Sequence, residues 1–442
     1  MHQDRIVIVG AAGRDVHTFN VLYRDDPSVH VVAFTTSRLP AGRIASLPMA
    51  LAGPRYPNGV PFVPMAHFEA VLADSAVDSV VYVDSNVTSP EALSTAAIAA
   101  AHGVDFTILS PLRTMLTASK PVIAVSSCRR SAGKTPTVRF LTRALVADGL
   151  RVVVVRHPHP WGSLTWGVPH RFGSLADLDR ALAHETHREE YESLVRDGAV
   201  IYSGIDFAKV LAEAEKEADV IIWDGGNNDL PFLKPDLHLL VVDAVRGDRE
   251  TLRWPAEVGL RTADLVVINK CDLATSAQVA NVLAGIREVN PKVAVFMADS
   301  PVVLDNGDAV RGKTVVVIEN SSSLPLEEIQ LGAGTIAARS LGVSAILSAA
   351  PNAVGAIREV FQANPGLVHV LPAMAQSPEQ VADLQATLDA TMSEAFVSAA
   401  TVDLRRIVTL SKPVAWARFE MAPQEPERML AFVREHVGAR VS

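Results

Sequence analysis

Residues 122–135 read Val-Ile-Ala-Val-Ser-Ser-Cys-Arg-Arg-Ser-Ala-Gly-Lys-Thr. A β-branched apolar run predicts a buried strand, and a helical pattern follows directly from Val138 to Leu145. Strand, small-residue loop and helix in this order are the context of a phosphate-binding P-loop. Position 128, where the usual pattern has its first glycine, is Cys128. The motif therefore needs support from residues downstream.

This loop supplies the groups that a nucleoside triphosphate needs. Backbone N–H groups and the N-terminus of the following helix would cradle the phosphates. Lys134 would reach the β- and γ-phosphate oxygens, and the Thr135 hydroxyl would hold Mg²⁺. Arg129 or Arg130 would stabilise charge on the γ-phosphoryl group as further catalytic residues. The predicted nucleotide contacts of the loop are Ser131, Ala132, Gly133, Lys134 and Thr135.

A second motif is an apolar strand that ends in an acid, Val220-Ile-Ile-Trp-Asp224. A carboxylate at this place can hold the water shell of Mg²⁺, which is the Walker B role. A strand-end aspartate on its own is more often a loop cap. After a P-loop the Walker B role is favoured, so Asp224 joins Thr135 as a predicted magnesium ligand and Lys134 as a predicted catalytic residue.

A third motif, Asn269-Lys270-Cys271-Asp272, directly follows another apolar strand. N-K-x-D in this place is the guanine-reading element of G proteins. The Asp272 carboxylate would accept hydrogen bonds from guanine, Lys270 would cover the base, and Asn269 would brace the loop. The alternative is a turn in which Asn269 and Asp272 cap helices. The position of the N-K-x-D motif after the other two motifs favours GTP as co-substrate, with ATP left open.

The composition limits the class of protein. The 442 residues are 49% hydrophobic but only 5% aromatic, which fits α/β layers better than an all-β sandwich. The net charge of −9 argues against wholesale binding of nucleic acid. Two cysteines are too few for a disulfide framework, and no apolar run is long enough to span a bilayer. We therefore expect a soluble, cytoplasmic enzyme with no membrane partner.

Short Val/Ile/Leu runs alternate with helical patterns, which predicts parallel sheets that are buried on both faces. We predict an α/β protein with a Rossmann-like N-terminal domain (1–119), a central P-loop NTPase domain with a mostly parallel sheet (120–312) and a smaller C-terminal α/β domain (313–442). The segment 299–313 is the expected linker. The proline-rich segment 39–64 is expected to be an irregular loop or lid over a sheet edge.

Two other places at strand ends are candidates for binding. The turn Gly10-Ala-Ala-Gly13 lacks the full G-x-G-x-x-G spacing, so a tight turn that positions a helix is favoured over NAD binding. Arg156, His157 and His159 follow a strand of the central domain, where they could contact an anionic acceptor. As an alternative, these histidines could bind a metal together with His184 and His187 of a His/Glu-rich helical stretch, although a solvated helix face is the simpler interpretation of that stretch.

Several motifs together are distinctive: Gly10–Asp15, Arg156–Pro158, Trp223–Pro231, Ile268–Asp272 and Leu371–Met374. In the order of these motifs the chain resembles the P-loop GTPase family of cyclic 2,3-diphosphoglycerate synthetases. The resemblance extends over nearly the whole chain. The resemblance implies NTP-driven closure of a phosphoanhydride between the 2- and 3-phosphates of 2,3-diphosphoglycerate. It matches Lys134, Thr135 and Asp224 to the family's motifs and Arg129 to a loop arginine. The chain departs from the family at Arg130 and Ser131, which replace a threonine and a glycine, and in 399–404, which lacks an expected glycine and proline.

The predicted function is therefore nucleotide-dependent phosphoryl transfer or ligation onto a small phosphorylated acceptor. A homodimer is expected, because loop arginines such as Arg129 often act across a dimer interface. A regulatory or metal-delivery GTPase that acts on a partner protein shares all three motifs and is the alternative. A degenerate nucleotide-binding module with little turnover is the third interpretation.

Overall fold

The structure is a computed structural model. It describes residues 3–10, 13–36, 46–85, 87–129, 131–157, 169–181, 188–225, 230–246, 254–320, 332–374, 377–400 and 403–438. The chain forms two compact units, the first comprising Met1–Ser174, Leu194–Asp299 and Pro423–Ser442 and the second Leu175–Ser193 and Ser300–Ala422. The predicted division into three domains stays a prediction.

The first unit begins with a mostly parallel sheet. Its strands are β1 (Asp4–Val9), β2 (Val29–Thr36), β3 (Ser46–Leu47), β4 (Val60–Pro64), β5 (Ser79–Tyr82) and β6 (Asp105–Ile108). They are ordered β3-β4-β2-β1-β5-β6, and β3 with β4 is the antiparallel pair. The helices are α1 (Arg14–Thr18), α2 (Met49–Ala52), α3 (Phe68–Asp74) and α4 (Ser89–Ala101). Successive residues of β1 point into two different hydrophobic clusters, so the sheet is buried on both faces.

The proline-rich segment is more regular than predicted. Residues 37–45 lie outside the described part, but the rest forms β3, α2 and β4 at one edge of this sheet. Pro48 is the N-cap of α2 and Pro64 ends β4, and both are places where a missing N–H costs little. The expectation of an irregular loop was therefore wrong for β3, α2 and β4, whereas residues 53–59 lie in turns between α2 and β4.

The central sheet of the first unit carries the three motifs. Its strands are β7 (Val122–Ser127), β8 (Val152–Arg156), β9 (His170–Phe172), β10 (Val200–Ser203), β11 (Val220–Asp224), β12 (Leu237–Asp243), β13 (Leu265–Asn269) and β14 (Ala294–Asp299). They are neighbours in the order β14-β13-β12-β7-β11-β8-β10-β9, with β9 antiparallel to β10. The parallel strands β7, β8, β11, β12 and β13 end at one edge, so the residues that follow them are brought together.

The third sheet lies in the second unit. Its strands are β15 (Val302–Asp305), β16 (Thr314–Asn320), β17 (Ala345–Ile346), β18 (Val370–Ala373), β19 (Ala395–Ala399) and β20 (Val414–Phe419). β15 lies inside the predicted linker and pairs antiparallel with β20, so the linker expectation was wrong for this strand. Val302 and Leu304 point to the same face of the strand and pack against the hydrophobic cluster of this unit, which explains why this short segment joins a sheet.

The remaining helices are numbered in chain order. They are α5 (Lys134–Ala147), α6 (Leu175–Ala181), α7 (Arg188–Arg196), α8 (Phe207–Ala214), α9 (Ala256–Thr262), α10 (Ser276–Val289), α11 (Ala333–Ser340), α12 (Gly355–Ala363), α13 (Pro378–Ala390) and α14 (Pro426–Gly438), the last preceded by the strand Ala422–Pro423. Within the described ranges, no helix is both long and apolar enough to cross a bilayer. The predicted α/β class with mostly parallel sheets is confirmed.

Candidate active site

The phosphate-binding loop begins where β7 ends, and its first unusual residue extends the sheet. The backbone N–H of Cys128 donates to Val241 O at 3.0 Å, which continues the pairing of β7 with β12. The Cys128 side chain is buried, and burial raises the pKa of its thiol to about 11. A cysteine at the first-glycine position is therefore a protonated, apolar filler here and no nucleophile.

Two of the described residues of the loop have left-handed backbone. Gly133 has φ +109° and Ser131 has φ +61°. A Cβ at position 133 would overlap Nδ2 of Asn269, so glycine is required there by both conformation and space. Ser131 adopts the conformation that glycine would adopt without strain, at the position where the resembling family has one.

The loop closes on an ionic group beneath it. Lys134 is the first residue of α5, and its ammonium donates to Oδ1 of Asp224 at the end of β11. Nη1 of Arg156 lies 3.1 Å from Oδ2 of the same carboxylate, because Arg156 and Asp224 are register partners on β8 and β11. All three side chains are at least nine-tenths buried. Asp224 therefore lies between two cations.

These cations decide the charge of Asp224. Burial by itself would raise the pKa of the carboxyl, but Arg156 and Lys134 outweigh it and hold the pKa below its usual range. Although Arg156 is close, Oδ2 accepts no hydrogen bond with acceptable geometry from any described group. An ionised, buried oxygen with unused acceptor capacity fits a Mg²⁺ ion or its water shell. Thr135, in the first turn of α5, is the second residue that would hold the ion.

The N-K-x-D segment joins the loop through Asn269. Nδ2 of Asn269 donates to Ala132 O at 3.0 Å, from a position that is fully buried. Nζ of Lys270 donates to Oδ2 of Asp243 at 2.8 Å, and the Asp243 carboxylate also accepts from the backbone of Val245. Asp243 was missed in the sequence, although it ends an apolar strand just as Asp224 does.

The alternative of two helix caps is wrong. The helix after the segment, α10, is capped by Thr275 in a capping box with Gln278. Asp272 lies in the short 3-10 turn Cys271–Leu273 and its side chain is exposed. Asn269 and Asp272 therefore do not cap α10, and the exposed carboxylate of Asp272 is accessible to a ligand.

Arg156 and His157, which were predicted to contact an acceptor, have different surroundings in the structure. Arg156 turns its guanidinium towards Asp224, so its charge is already used. The His157 ring stacks on Phe207 with centroids 5.5 Å apart and meets the edge of Phe232 at 6.0 Å. Arg129 is partly exposed in the loop. Arg130 and His159 lie outside the described residues.

A metal-binding histidine cluster is not seen in the part of the chain that can be described. No group of three or more His, Cys, Asp or Glu side chains there could hold a metal ion. His159, His184 and His187 lie outside that part. The metal-delivery alternative therefore stays a prediction.

Residues 211–297 match the model "CobW/HypB/UreG, nucleotide-binding domain". This range contains Asp224, Asp243 and the N-K-x-D segment. Over nearly its whole length the chain is also similar to the arginine synthetase ArcE of Thermococcus kodakarensis, with 40% identity over 419 residues, 94% of this chain and 93% of the relative.

The chain belongs to the ArcE family. A tetraacyldisaccharide 4'-kinase of Geobacter sulfurreducens is 32% identical over 170 residues, which are 36% of this chain and 47% of the kinase. Among solved structures, LpxK from Aquifex aeolicus in complex with ATP covers 73% of this chain and 90% of its own, with 15% identity and a TM-score of 0.45. The match to the family model confirms a nucleotide-binding P-loop domain in this member of the ArcE family. None of these relatives is named as a cyclic 2,3-diphosphoglycerate synthetase.

Proposed function

We propose that the chain is an NTP-dependent synthetase that activates a small acceptor by transfer of the γ-phosphoryl group. The observation that carries the proposal is the buried Asp224, which is held ionised between Lys134 and Arg156 directly below the P-loop. When nucleotide binds, the Lys134 ammonium can exchange this carboxylate for the β- and γ-phosphate oxygens. Bound Mg²⁺, held through Thr135 and Asp224, would neutralise charge on the same oxygens. Arg129 and Arg130 are the proposed further cations, and their roles rest on the sequence alone.

The nucleotide that we propose is GTP. Support comes from the Asn269–Ala132 hydrogen bond, which ties the N-K-x-D segment to the P-loop, and from the exposed carboxylate of Asp272. Asp272→Asn reverses the hydrogen-bond pattern that the loop offers to a base. We expect the variant to lose GTP affinity and gain XTP affinity, measured by direct binding of GTP, ATP and XTP. Preference for ATP in the wild type, with no gain of XTP binding in the variant, would contradict the base assignment.

For the product we propose arginine, following the relative that is 40% identical over almost both chains. L-Citrulline differs from arginine in carrying a ureido oxygen where arginine carries a nitrogen. Transfer of the γ-phosphoryl group to that oxygen releases the nucleoside diphosphate and leaves an O-phosphoryl isourea. Ammonia can then attack the carbon, the C–O bond breaks, and inorganic phosphate leaves with the oxygen. This chemistry needs only positioning and charge stabilisation from the protein.

The second candidate product is the cyclic anhydride of 2,3-diphosphoglycerate, which the motif resemblance favours. The same activated γ-phosphoryl site would serve it, and His157 would contact the acceptor phosphates together with Arg156 once Asp224 is occupied by Mg²⁺. A metal-delivery GTPase is supported by the match of residues 211–297 to the CobW/HypB/UreG model. For all three candidates a homodimer and a cytoplasmic setting stay predictions.

One assay separates these candidates. The protein is incubated with Mg²⁺ and GTP or ATP, in one arm with L-citrulline and ammonium chloride and in another with 2,3-diphosphoglycerate. Arginine is measured by amino-acid analysis and the anhydride by phosphorus NMR, with Lys134→Ala as the inactive control. Arginine formation in step with nucleotide hydrolysis supports the first proposal. Hydrolysis without either product, accompanied by stoichiometric nickel or zinc binding, would favour the metal-delivery function.

A further inference from the structure

The turn that follows β1 lies against the central sheet of the same unit. Gly13 has φ +96°, and a Cβ there would overlap the imidazole of His157. His157 directly follows β8, and Arg156, the residue before it, is the one that pairs with Asp224. Gly13, which comes shortly after β1 of the first sheet, thus lies against His157, the residue next in sequence to the Arg156 that pairs with Asp224.

The helix that follows Gly13, α1, contacts the segment of chain after β11. Nη1 of Arg14 donates to Leu230 O at 2.9 Å, and its guanidinium lies 5.6 Å from the centre of the Phe232 ring. His17 stacks on the Phe232 ring, with ring centroids 4.2 Å apart and planes 6° from parallel. All of these groups except His157 are buried. Arg14 and His17 therefore fix Leu230 and Phe232, six and eight residues after Asp224.

A third contact completes the arrangement. The Nε2–H of His17 donates to Thr114 O at 2.7 Å, and two residues later Leu116 pairs with the chain beside Phe232 through backbone hydrogen bonds. Burial lowers the pKa of His17 to about 3, so the ring is a neutral, rigid spacer at neutral pH. Of the residues contacted, His157 follows β8, and Leu230 and Phe232 follow β11.

We propose that Gly13, together with Arg14 and His17, positions His157 on the acceptor side of the site, so that the first sheet serves acceptor binding and not nucleotide binding. The proposal rests on the proposed function, in which an acceptor approaches from the side of Arg156 and His157. Gly13 acts through His157: its missing Cβ gives the imidazole the place that it occupies. A larger residue at 13 moves that ring without touching the P-loop.

The test is a double-mutant comparison of wild type, Gly13→Ala, His157→Ala and the double variant, with L-citrulline plus ammonium chloride and 2,3-diphosphoglycerate as acceptors. Gly13→Ala is expected to raise the KM for the productive acceptor about tenfold, with the Kd of a fluorescent GTP analogue changed by less than twofold. In the His157→Ala background the same substitution is expected to change the KM by less than twofold. Gly103→Ala is the matched control, since Gly103 has φ +73° and nothing within 4 Å of a Cβ, so it reports backbone strain alone.

An equal effect of Gly13→Ala in both backgrounds, or a loss of nucleotide affinity that matches the loss for the acceptor, would overturn the proposal. If neither acceptor is turned over by the wild type, it is the proposed function that fails. The positioning proposal is then decided by urea unfolding of the same four proteins. Non-additive destabilisation by Gly13→Ala and His157→Ala supports it, and additive destabilisation overturns it.

Discussion

Asp224 and Asp15 are two buried carboxyl groups of the same unit with opposite electrostatic surroundings. Both are at most 2% exposed. Asp224 faces Lys134 and Arg156, which hold its pKa below the usual range. Asp15 accepts hydrogen bonds from the backbone of Gly13 and Val16, yet burial, with a smaller contribution from the Asp84 charge, raises its pKa to about 6. Burial alone drives a carboxyl towards its neutral form, and it is the neighbouring cations that make Asp224 an anion at neutral pH.

Removing one of the two cations beside Asp224 is expected to have the largest effect. Arg156→Met leaves Asp224 buried with Lys134 as its remaining cation, whereas loss of the whole partner of a buried charge costs about 3–5 kcal/mol. Because Lys134 still pairs with the carboxylate, we expect the free energy of unfolding in urea to fall by up to that amount. The acid limb of the pH–rate profile of NTP hydrolysis should move to higher pH, because burial then raises the pKa of Asp224 against less opposition.

The matched control for this variant is Arg151→Met. Arg151 precedes the same strand, β8, and pairs with Asp219, but its side chain is 64% exposed. A surface pair is worth about 0–1 kcal/mol. If the free energy of unfolding falls equally in the two variants, burial does not strengthen the Arg156–Asp224 pair.

Asp224→Asn tests the charge itself. An amide cannot hold Mg²⁺ as a carboxylate does, and loss of a preorganised charge at a reacting centre typically lowers kcat about 100- to 1,000-fold, or about 3–4 kcal/mol. We expect a fall of this size in NTP hydrolysis at saturating Mg²⁺. Asp219→Asn, on the exposed pair, is expected to leave the rate within twofold. A wild-type rate in Asp224→Asn would remove Asp224 from the proposed mechanism.

Asp15→Asn tests the buried carboxyl group whose pKa is raised. The folded protein binds the Asp15 proton more tightly than the unfolded chain, since the pKa rises from 3.8 to about 6. The stabilisation by this group is therefore complete below about pH 3.8 and lost as the pH rises through 6. Two units of pKa correspond to about 3 kcal/mol. Asparagine can still accept from both backbone donors and carries no charge.

The measurement is the difference in unfolding free energy between Asp15→Asn and wild type as a function of pH. That difference should grow in favour of the variant between about pH 4 and pH 6.5 and then level off. The depressed pKa of His17 gives a slope of opposite sign, because a buried neutral histidine destabilises the fold as the pH falls below 6.5. That slope is common to both proteins and cancels. A difference that does not vary with pH would show that Asp15 is ionised throughout.

The smallest effect is expected in the loop above Asp224. Ser131→Gly removes a left-handed backbone strain of about 1–2 kcal/mol per residue, offset in part by the greater freedom of glycine in the unfolded chain. We expect a net gain of about 1 kcal/mol in unfolding free energy together with tighter nucleotide binding. Ala76→Gly is the control, since Ala76 has φ +47° in the first sheet's α3–β5 connection. It should gain stability without any change in nucleotide Kd.

The sequence was most informative where local patterns suffice. The apolar runs that become β7, β11 and β13 predicted those strands, because a strand that is buried on both faces must be apolar throughout. The site residues at the ends of these strands could also be predicted, since polar residues directly after such runs lie at one edge of a parallel sheet. The α/β class followed from this alternation.

The parts that escaped prediction depend on contacts between distant segments. Arg156 was expected to meet an acceptor, but strand register pairs it with Asp224, and register between β8 and β11 is not encoded in either strand alone. Gly13 packs on His157, which lies more than 140 residues away in the sequence, so no local pattern predicts this contact. β15 was hidden because turn residues surround its short apolar run.

Gly133 sets a limit on how this nucleotide site can change. The absence of its Cβ leaves room for the Asn269 amide, which in turn donates to Ala132, so one atom-sized space is shared by the segment expected to read the base and the loop expected to hold the phosphates. A side chain at 133 would displace the base segment as well as the loop, and a bulkier residue at 269 would push on the loop from the other side. The two halves of the site are thus not separable targets for mutation: a variant selected for a different base must also remain compatible with the phosphate loop.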